Sequence, residues 1–262
     1  MNNKRQNEIV LIQITDTHIF TNQNETFDGI NTSDSLTAVL DQINEDFPTF
    51  NYMIVTGDLV QEPEVIAYQN LQKIMSTVNK PVFYLAGNHD EPAMMKGIFA
   101  ESYTSIETLN NWSVVFLNSH KPASHGGMLS RSELDKLTRN LIKAKETNVL
   151  LCLHHHPVSI ESEWMDGMML ENADELFEIV DDYQNVKGII WGHIHQEFSG
   201  QRNGVQLMGT PSTGAQFIPG AKQFGTDNMQ PGYRWLKLHP NGDIKTGVER
   251  LRTPHYLVNK PD

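Results

Sequence analysis

The sequence has little cysteine, little positive charge and no long apolar run, and each shortage excludes a class of protein. Its single cysteine, Cys152, cannot form an internal disulfide, which is typical of a protein in a reducing compartment. No segment is long and apolar enough to predict a membrane helix, and the polar residues 1–8 do not resemble a signal peptide. We therefore predict a cytoplasmic protein without a membrane partner.

Positive charge is scarce relative to negative charge. Lys and Arg number 20 against 32 Asp and Glu, so the formal net charge is -12 at pH 7. Binding to DNA or RNA generally needs a basic surface, and we predict no nucleic-acid partner. An acidic protein can still attract an anionic substrate if bound cations reverse the charge locally.

The chain also lacks a linker rich in proline, glycine or serine, and it contains no evident internal repeat. Hydrophobic residues make up 39% of the 262 residues, which is enough for a sizeable core. We predict one domain over residues 1–262, either as a monomer or as a homodimer.

Five short apolar segments predict buried strands, and each of them ends in polar residues. If the strands share one sheet, their ends converge on one edge, where open α/β sheets bind ligands. The segments and their polar ends are 9–15 with Asp16-Thr17-His18, 52–56 with Gly57-Asp58, 82–86 with Gly87-Asn88-His89-Asp90, 149–153 with His154-His155-His156-Pro157, and 186–191 with Gly192-His193-Ile194-His195.

Helical periodicity lies between these strands. Its alternation with strands predicts parallel pairing, whereas two Asn-Gly turns after Glu197 predict antiparallel hairpins. Ser33 is a plausible N-cap of the first helix, Ser130 and Glu133 form a capping box, and Asn172 is favoured as a cap over a contact to substrate. The predicted helices lie near 36–47, 65–78, 134–141 and 173–180.

The polar strand ends concentrate residues that bind metals. Seven of the eleven histidines lie there, together with Asp16, Asp58, Asn88 and Asp90. The Asp-x-His and His-x-His spacings place two side chains on the same side of an extended segment. Nitrogen and oxygen ligands without thiolate suit divalent iron, manganese, zinc or cobalt better than they suit a structural zinc site rich in cysteine.

In their order and over about 180 residues, these five motifs resemble the signature of the calcineurin-like metallophosphoesterase superfamily. The loop His125-Gly126-Gly127-Met128 departs from the pattern, because an acidic residue is expected after His-Gly. Four segments extend the similarity to bacterial class III 3',5'-cyclic-AMP phosphodiesterases, namely Leu11 to His18, Leu153 to Pro157, Gly192 to Glu197 and Thr210 to Thr213.

The resemblance implies an α/β fold, a four-layer α/β/β/α sandwich of two mixed sheets flanked by helices. A metal-binding core would span about 9–210. The C-terminal hairpins, over about 197–251, would complete the second sheet.

The resemblance also implies two divalent metal ions, with Fe²⁺ or Mn²⁺ preferred and Zn²⁺ or Co²⁺ as alternatives. It assigns Asp16, His18 and His195 to one ion. It assigns Asn88, His155 and His193 to the other, with Asp58 bridging both. The choice of His155 rests on a His-x-Pro register, so His154 and His156 remain alternatives.

His89 is implied as the catalytic residue and not as a ligand. Beside the scissile phosphate, its imidazole would stabilise charge or protonate the leaving alkoxide. Asp90 either orients His89 or only stabilises the turn. The residues expected to touch substrate are His18, Asp58, Asn88, His89 and His195.

The implied reaction is hydrolysis of 3',5'-cyclic AMP to 5'-AMP by a hydroxide that bridges two metal ions, so the expected partner is a cyclic nucleotide. The alternative substrates are a nucleotide sugar, a glycerophosphodiester or a 2',3'-cyclic nucleotide. A metal-free scaffold that binds proteins is a further alternative, against which the complete ligand set argues. The apolar loop 164–170 either packs on the core or covers a base with Met168 and Met169.

Overall fold

The computed structural model describes residues 8–102 and 104–252; the remaining residues of the predicted 1–262 domain lie outside the described ranges. The strands are β1 Ile9–Ile14, β2 Thr26–Phe27, β3 Ile30–Asn31, β4 Tyr52–Thr56, β5 Val82–Leu85, β6 Ile106–Leu109, β7 Trp112–Phe116, β8 Asn148–Cys152, β9 Val186–Trp191, β10 Phe198–Arg202, β11 Val205–Gly209, β12 Gln216–Phe217, β13 Thr226–Asp227, β14 Gly232–Leu238 and β15 Ile244–Arg250. The helices are α1 Thr32–Asp46, α2 Val65–Met75, α3 Pro92–Ile98, α4 Arg131–Lys143, α5 Glu163–Asp166 and α6 Ala173–Asp181, with a 3₁₀ turn at Ala100–Ser102.

Two large sheets contain eleven of the strands. The first has the order β15-β14-β1-β4-β5, and the second has the order β10-β11-β9-β8-β7-β6. Strands β1, β4 and β5 are parallel, as the alternation of strands and helices predicts, and so are β11, β9, β8 and β7. Antiparallel strands lie at one edge of the first sheet and at both edges of the second, so both sheets are mixed.

Three hydrophobic clusters show that the molecule has four layers. One cluster lies between the sheets and joins residues such as Leu11 of β1 to Ile190 of β9. A second packs α1 and α2 on the first sheet, and a third packs α4 and α6 on the second sheet. The predicted four-layer α/β/β/α sandwich is confirmed. Cys152 lies between the sheets, where burial raises the pKa of its thiol.

The five strands with polar ends do not share one sheet. Strands β1, β4 and β5 belong to the first sheet, whereas β8 and β9 belong to the second. Their polar ends still meet, as the backbone N–H of His193 shows by donating to the Asp16 carboxylate across the two sheets. Face-to-face packing therefore provides the convergence that a single sheet was expected to provide.

The C-terminal hairpins also differ from the expectation that they complete the second sheet. The hairpin β10–β11 joins the second sheet, but β14–β15 joins the first through β14. Without β14, the backbone groups on one side of β1 would form an open edge, and Leu11 instead pairs with Leu236. The Asn-Gly pattern predicts a hairpin but carries no information about its sheet.

The helix ends agree only partly with the predicted caps. Helix α1 is capped by Asn31, whose side chain accepts from Asp34 N at 3.0 Å, and the proposed cap Ser33 lies inside the helix. Helix α2 ends at Met75 and does not reach residue 78. None of the helices within 8–102 and 104–252 has the length and apolar character needed to cross a bilayer.

At the other two predicted caps, the side chains of Glu133 and Asn172 bond to residues that are distant in sequence. Ser130 caps α4 by accepting from Glu133 N, as predicted, but the Glu133 carboxylate accepts from Asn118 N instead of closing the capping box. Asn172 occupies the N-cap position of α6 without a capping hydrogen bond. Its side-chain amide bonds to the backbone N and O of Leu129, so its role is to join two loops.

A buried polar side chain connects the two sheets beneath their polar ends. Gln13 of β1 donates to Thr56 Oγ1 at 2.9 Å and to Trp191 O at 3.1 Å, and it accepts from Thr210 Oγ1 at 2.7 Å. Buried Arg234 donates to the same Thr210 hydroxyl. Each of these bonds satisfies a polar group that has no access to water.

We predict that Gln13→Leu lowers the free energy of unfolding by roughly 1–3 kcal/mol, because it leaves buried partners without hydrogen bonds. Urea denaturation measures this change. The matched control is Gln72→Leu, since Gln72 is exposed and its side chain makes only a 3.5 Å bond. Equal stability of the two variants would contradict a stabilising role for the bonds between the sheets.

Candidate metal centre

The polar ends of the strands surround a cavity of about 260 Å³ at one edge of both sheets. All five residues predicted to touch substrate line this cavity, namely His18, Asp58, Asn88, His89 and His195. Asp16 and the three consecutive histidines lie beneath them, fully buried. The two sheets thus bring the predicted site residues into one place.

Several of these residues have an unusual backbone conformation. Asp16, His18, Asp58, His193 and His195 all have φ between +43° and +67°. This left-handed region costs a non-glycine residue roughly 1–2 kcal/mol, although Asp and His are enriched there. Such strain is common at functional sites, where the surrounding fold maintains it. Here hydrogen bonds such as His18 N to Asp58 O hold the strand ends together.

One group of ligand atoms consists of Asp16, His18 and His195. His195 Nε2 lies 3.4 Å from Asp16 Oδ1 and 3.2 Å from His18 Nε2. The other ring nitrogen of His195 donates to Ala215 O at 2.8 Å, so in the neutral ring Nε2 carries a lone pair. A lone pair directed at a carboxylate oxygen and a second imidazole is the arrangement of a cation site.

Asp58 lies between this group and the next one. Its Oδ2 is 3.7 Å from His18 Nε2 on one side and 3.4 Å from His154 Nε2 on the other. Its Oδ1 accepts from His89 N at 2.9 Å, which fixes the carboxylate. A single carboxylate therefore lies within reach of two sets of imidazoles.

Among the three consecutive histidines, His154 is the one beside Asp58. Its Nδ1 donates to Thr56 O at 2.8 Å, and its Nε2 lies 3.1 Å from Asn88 Oδ1. His155 also has a ring nitrogen within 4.8 Å of ligand atoms of His154 and His193, but no hydrogen bond or ion pair joins its ring to Asp58 or Asn88 among the described residues, and its Nδ1 lies 2.8 Å from Ser119 Oγ. The sequence register favoured His155, but the side chain that faces Asp58 and Asn88 is that of His154.

Several buried ring nitrogens have no hydrogen-bond partner within the described part of the chain. Those at the strand ends are Nδ1 of His18, Nε2 of His155, both ring nitrogens of His156 and Nε2 of His193. Burying an unpaired polar atom is costly, and buried nitrogens of this kind are expected where a metal binds. The ligand atoms available to a metal are imidazole nitrogens and the oxygens of carboxylates and an amide, which suit divalent iron, manganese, zinc or cobalt. The residues present thus fit a pair of divalent cations.

The charges of the cluster indicate the same conclusion. Burial acts to raise the pKa of Asp58, but the His154 charge and hydrogen bond hold it well below its usual range. Burial acts to lower the pKa of His154, whereas the charge of Asp58 raises it to about 9. Burial lowers the pKa of His18 to about 3 and that of His193 well below its usual range. The cluster thus combines neutral imidazoles at His18 and His193 with a charged imidazole at His154, which meets the demand of Asp58 for positive charge.

His89 is oriented by a backbone carbonyl and not by Asp90. Its Nδ1 donates to Gln61 O at 2.8 Å, which leaves Nε2 as the nitrogen available to a bound molecule. Asp90 accepts from Gly87 N, Leu59 N and the Tyr68 hydroxyl. Of the two roles considered for Asp90, the structure shows the stabilisation of the turn.

The sequence did not identify several residues that line the cavity. They are Phe27, Gln61, His125, Phe217 and Phe224. Trp164, Met165 and Met168 also line the cavity, and they belong to the apolar loop 164–170 that was expected either to pack on the core or to cover a base. Met169 is absent from the lining, and its carbonyl accepts from Gly127 N. The only signal for Phe224 was an isolated aromatic residue in the polar segment 220–228.

Known proteins are similar to this chain in sequence or in fold. A model of the calcineurin-like phosphoesterase family matches residues 9–197, which confirms the resemblance of the motifs. The 3',5'-cyclic adenosine monophosphate phosphodiesterase CpdA of Pseudomonas aeruginosa is 36% identical over 245 residues, covering 93% of this chain and 90% of the relative. CpdA of Escherichia coli K12 is 37% identical over 250 residues, covering 94% of this chain and 91% of the relative. A dimetal phosphatase from Danio rerio shares the fold with a TM-score of 0.64 at 13% identity, covering 93% of this chain and 99% of that one.

The position of Gly87 provides a test of the cluster. A Cβ at this residue would lie 2.1 Å from Asp58 Oδ1 and 2.3 Å from Asp58 N. We predict that Gly87→Ala displaces Asp58 and lowers the metal content of the purified protein by at least half, as measured by elemental analysis. Gly97→Ala is the control, because a Cβ there meets nothing within 4 Å. Unchanged metal content in Gly87→Ala would show that the Asp58 position does not matter for binding.

Proposed function

The chain belongs to the calcineurin-like phosphoesterase family, and on that premise we propose that it hydrolyses 3',5'-cyclic AMP to 5'-AMP with two divalent metal ions. The observation that carries the metal centre is the place of Asp58 Oδ2 between His18 and His154. The substrate is supported by relatives that are named as 3',5'-cyclic AMP phosphodiesterases and that match this chain over 90% or more of their length.

We propose a revised set of ligands. Asp16, His18 and His195 would hold one ion. Asn88, His154 and His193 would hold the other, and Asp58 would contact both. His154 replaces His155 because its Nε2 lies 3.1 Å from Asn88 Oδ1 and 3.4 Å from Asp58 Oδ2, whereas no hydrogen bond or ion pair joins the His155 ring to either residue within the described part of the chain. Fe²⁺ or Mn²⁺ remains the preferred pair over Zn²⁺ or Co²⁺.

When bound, the two ions would supply positive charge at the phosphate and a shared hydroxide as nucleophile near neutral pH. Hydrolysis breaks the bond between phosphorus and the 3' oxygen, and the departing oxygen gains a proton. His89 would provide that proton or stabilise charge on the phosphate, since Gln61 O holds Nδ1 and leaves Nε2 free. His18, Asp58, Asn88 and His195 would contact the phosphate, because they line the same cavity.

The alternative substrates would be hydrolysed at the same metal centre, whereas a protein-binding scaffold would need no metal centre. A nucleotide sugar, a glycerophosphodiester or a 2',3'-cyclic nucleotide would present a similar phosphodiester, so assays must separate them. A scaffold without catalysis is disfavoured because every predicted ligand and His89 lie together. The single cysteine supports a cytoplasmic location, where we place the proposed activity.

We predict that His154→Ala lowers the metal content by about half and removes nearly all turnover, because a ligand beside Asp58 is lost. His155→Ala is the matched variant from the same buried segment and should retain more metal, since it is His154, and not His155, that lies beside Asp58 and Asn88. Elemental analysis of both purified variants, with thermal unfolding to confirm their folding, measures the difference. Loss of metal in His155→Ala alone would restore the assignment by the His-x-Pro register.

We predict that the metal-loaded enzyme releases 5'-AMP from 3',5'-cyclic AMP, as measured by chromatography of the products. His89→Ala should keep its metal while turnover falls by roughly 10²-fold, the scale of a lost general acid. A panel with 2',3'-cyclic AMP, a nucleotide sugar and glycerophosphocholine tests the alternatives. Absence of cyclic AMP turnover with iron, manganese, zinc and cobalt would transfer the assignment to whichever of these substrates is hydrolysed.

A further inference from the structure

One side of the cavity is formed by four aromatic rings, which we call the aromatic wall: Phe27, Trp164, Phe217 and Phe224. The ring centroids of Trp164 and Phe224 are 5.5 Å apart, and those of Phe217 and Phe224 are 5.6 Å apart. Both pairs meet edge to face, a favourable geometry for aromatic contacts. The rings therefore support one another before any ligand binds.

The aromatic wall comes from three separate segments of the chain that are tied together. The β2–β3 hairpin is joined to β13 by a hydrogen bond from Thr226 Oγ1 to the Asp28 carboxylate. The segment before α5 is joined to the β12–β13 hairpin by a bond of 2.9 Å from Ser162 Oγ to Ala221 O. These bonds give the wall a defined shape, which lowers the entropic cost of binding.

Phe224 is the least buried member of the wall. Its side chain remains 57% exposed, although it lies at a cavity and contacts two other rings. Because those contacts are edge to face, part of the ring remains available for stacking. An exposed aromatic ring beside a cavity is a typical feature of a binding site for a flat apolar group.

The wall begins directly at the candidate metal centre. Phe217 stacks on His195 with 4.0 Å between ring centroids, and Phe27 lies 5.0 Å from His18. The polar residues Gln61, Asn88, His89 and His125 also line the cavity. The phosphate of a molecule bound here would therefore contact imidazoles and a carboxylate. The other end of the molecule would contact aromatic rings.

We propose that the base of the nucleotide substrate stacks on Phe224, and that the aromatic wall selects nucleotides over phosphodiesters without a base. The inference rests on the proposed function, because it assumes a cyclic nucleotide at this centre. Stacking of a base on an aromatic side chain strengthens binding enough to favour a substrate with a base over one without a base. It needs no hydrogen bonds to the edges of the base.

The test compares Phe224→Ala with the wild-type metal-loaded enzyme on two substrates. One is 3',5'-cyclic AMP, and the other is the 3',5'-cyclic phosphate of methyl β-ribofuranoside, in which a methoxy group replaces the base. The variant should raise KM for cyclic AMP roughly 10-fold with little change in kcat, the scale of a lost base stack. KM for the methyl riboside should remain within about twofold, because its contacts with the phosphate site are unchanged.

Two further variants exclude a general disturbance of the hairpin. Ile218→Ala is the matched control, since Ile218 is also exposed on the β12–β13 segment but does not line the cavity. It should leave both KM values unchanged. Phe224→Trp should restore the KM for cyclic AMP, because it provides an aromatic ring again. Equal effects of Phe224→Ala on both substrates, or equal KM values of the wild type for both, would overturn the proposal.

A binding measurement separates this proposal from the proposed function. By calorimetry, the wild type should bind 5'-AMP more tightly than ribose 5-phosphate, and Phe224→Ala should remove most of that preference. A preference for 5'-AMP without turnover of cyclic AMP would contradict the reaction but keep the base site. Turnover of cyclic AMP without such a preference would contradict the base site alone. A change of oligomeric state in Phe224→Ala, with equal losses for both ligands, would make Phe224 a subunit contact.

Discussion

The arrangement of the site depends on one buried carboxylate, that of Asp58, whose negative charge needs positive charge nearby. Only 2% of this residue is exposed, and its oxygens face His89 N, His18 and His154. Burial alone would neutralise such a group, but imidazoles around it favour its charged form. A buried anion of this kind creates a local demand for positive charge, which the imidazole of His154 meets, in a protein whose overall charge is already -12.

The fold meets this demand by placing strained strand ends against each other. The two sheets pack through an apolar cluster, and bonds such as Gln13 to Trp191 O connect them near the site. Asp16 and Asp58 can then keep left-handed backbone conformations, because the neighbouring strand ends hold them. Gly87 lets the chain after β5 approach Asp58 closely, since any Cβ at residue 87 would collide with the carboxylate. The rigid layers thus maintain a geometry that an isolated loop would not adopt.

The cavity separates two kinds of chemistry. Imidazoles, Asp58 and Asn88 provide a polar end suited to phosphate, while Trp164 and Phe224 provide an apolar end suited to a flat ring. The polar end comes from strand ends, and the apolar end comes from hairpins and from the segment near α5. Under the proposed function, reaction and selectivity would therefore depend on different parts of the chain, and substitutions would alter one without the other.

The sequence by itself determined the parallel strands and, through its resemblance to a family, the layer order. It also predicted most of the residues that meet at the candidate site, because strand ends rich in His and Asp are local patterns with a recognisable order. It also predicted Ser130 as a cap, a contact between near neighbours. Only the tertiary structure decided that the five strands divide between two sheets, that β14 pairs with β1, and that His154 faces Asp58. It alone assembled Phe27, Trp164, Phe217 and Phe224 into a wall. These outcomes depend on side-chain directions and on contacts between residues far apart in the chain, and local periodicity contains no information about either.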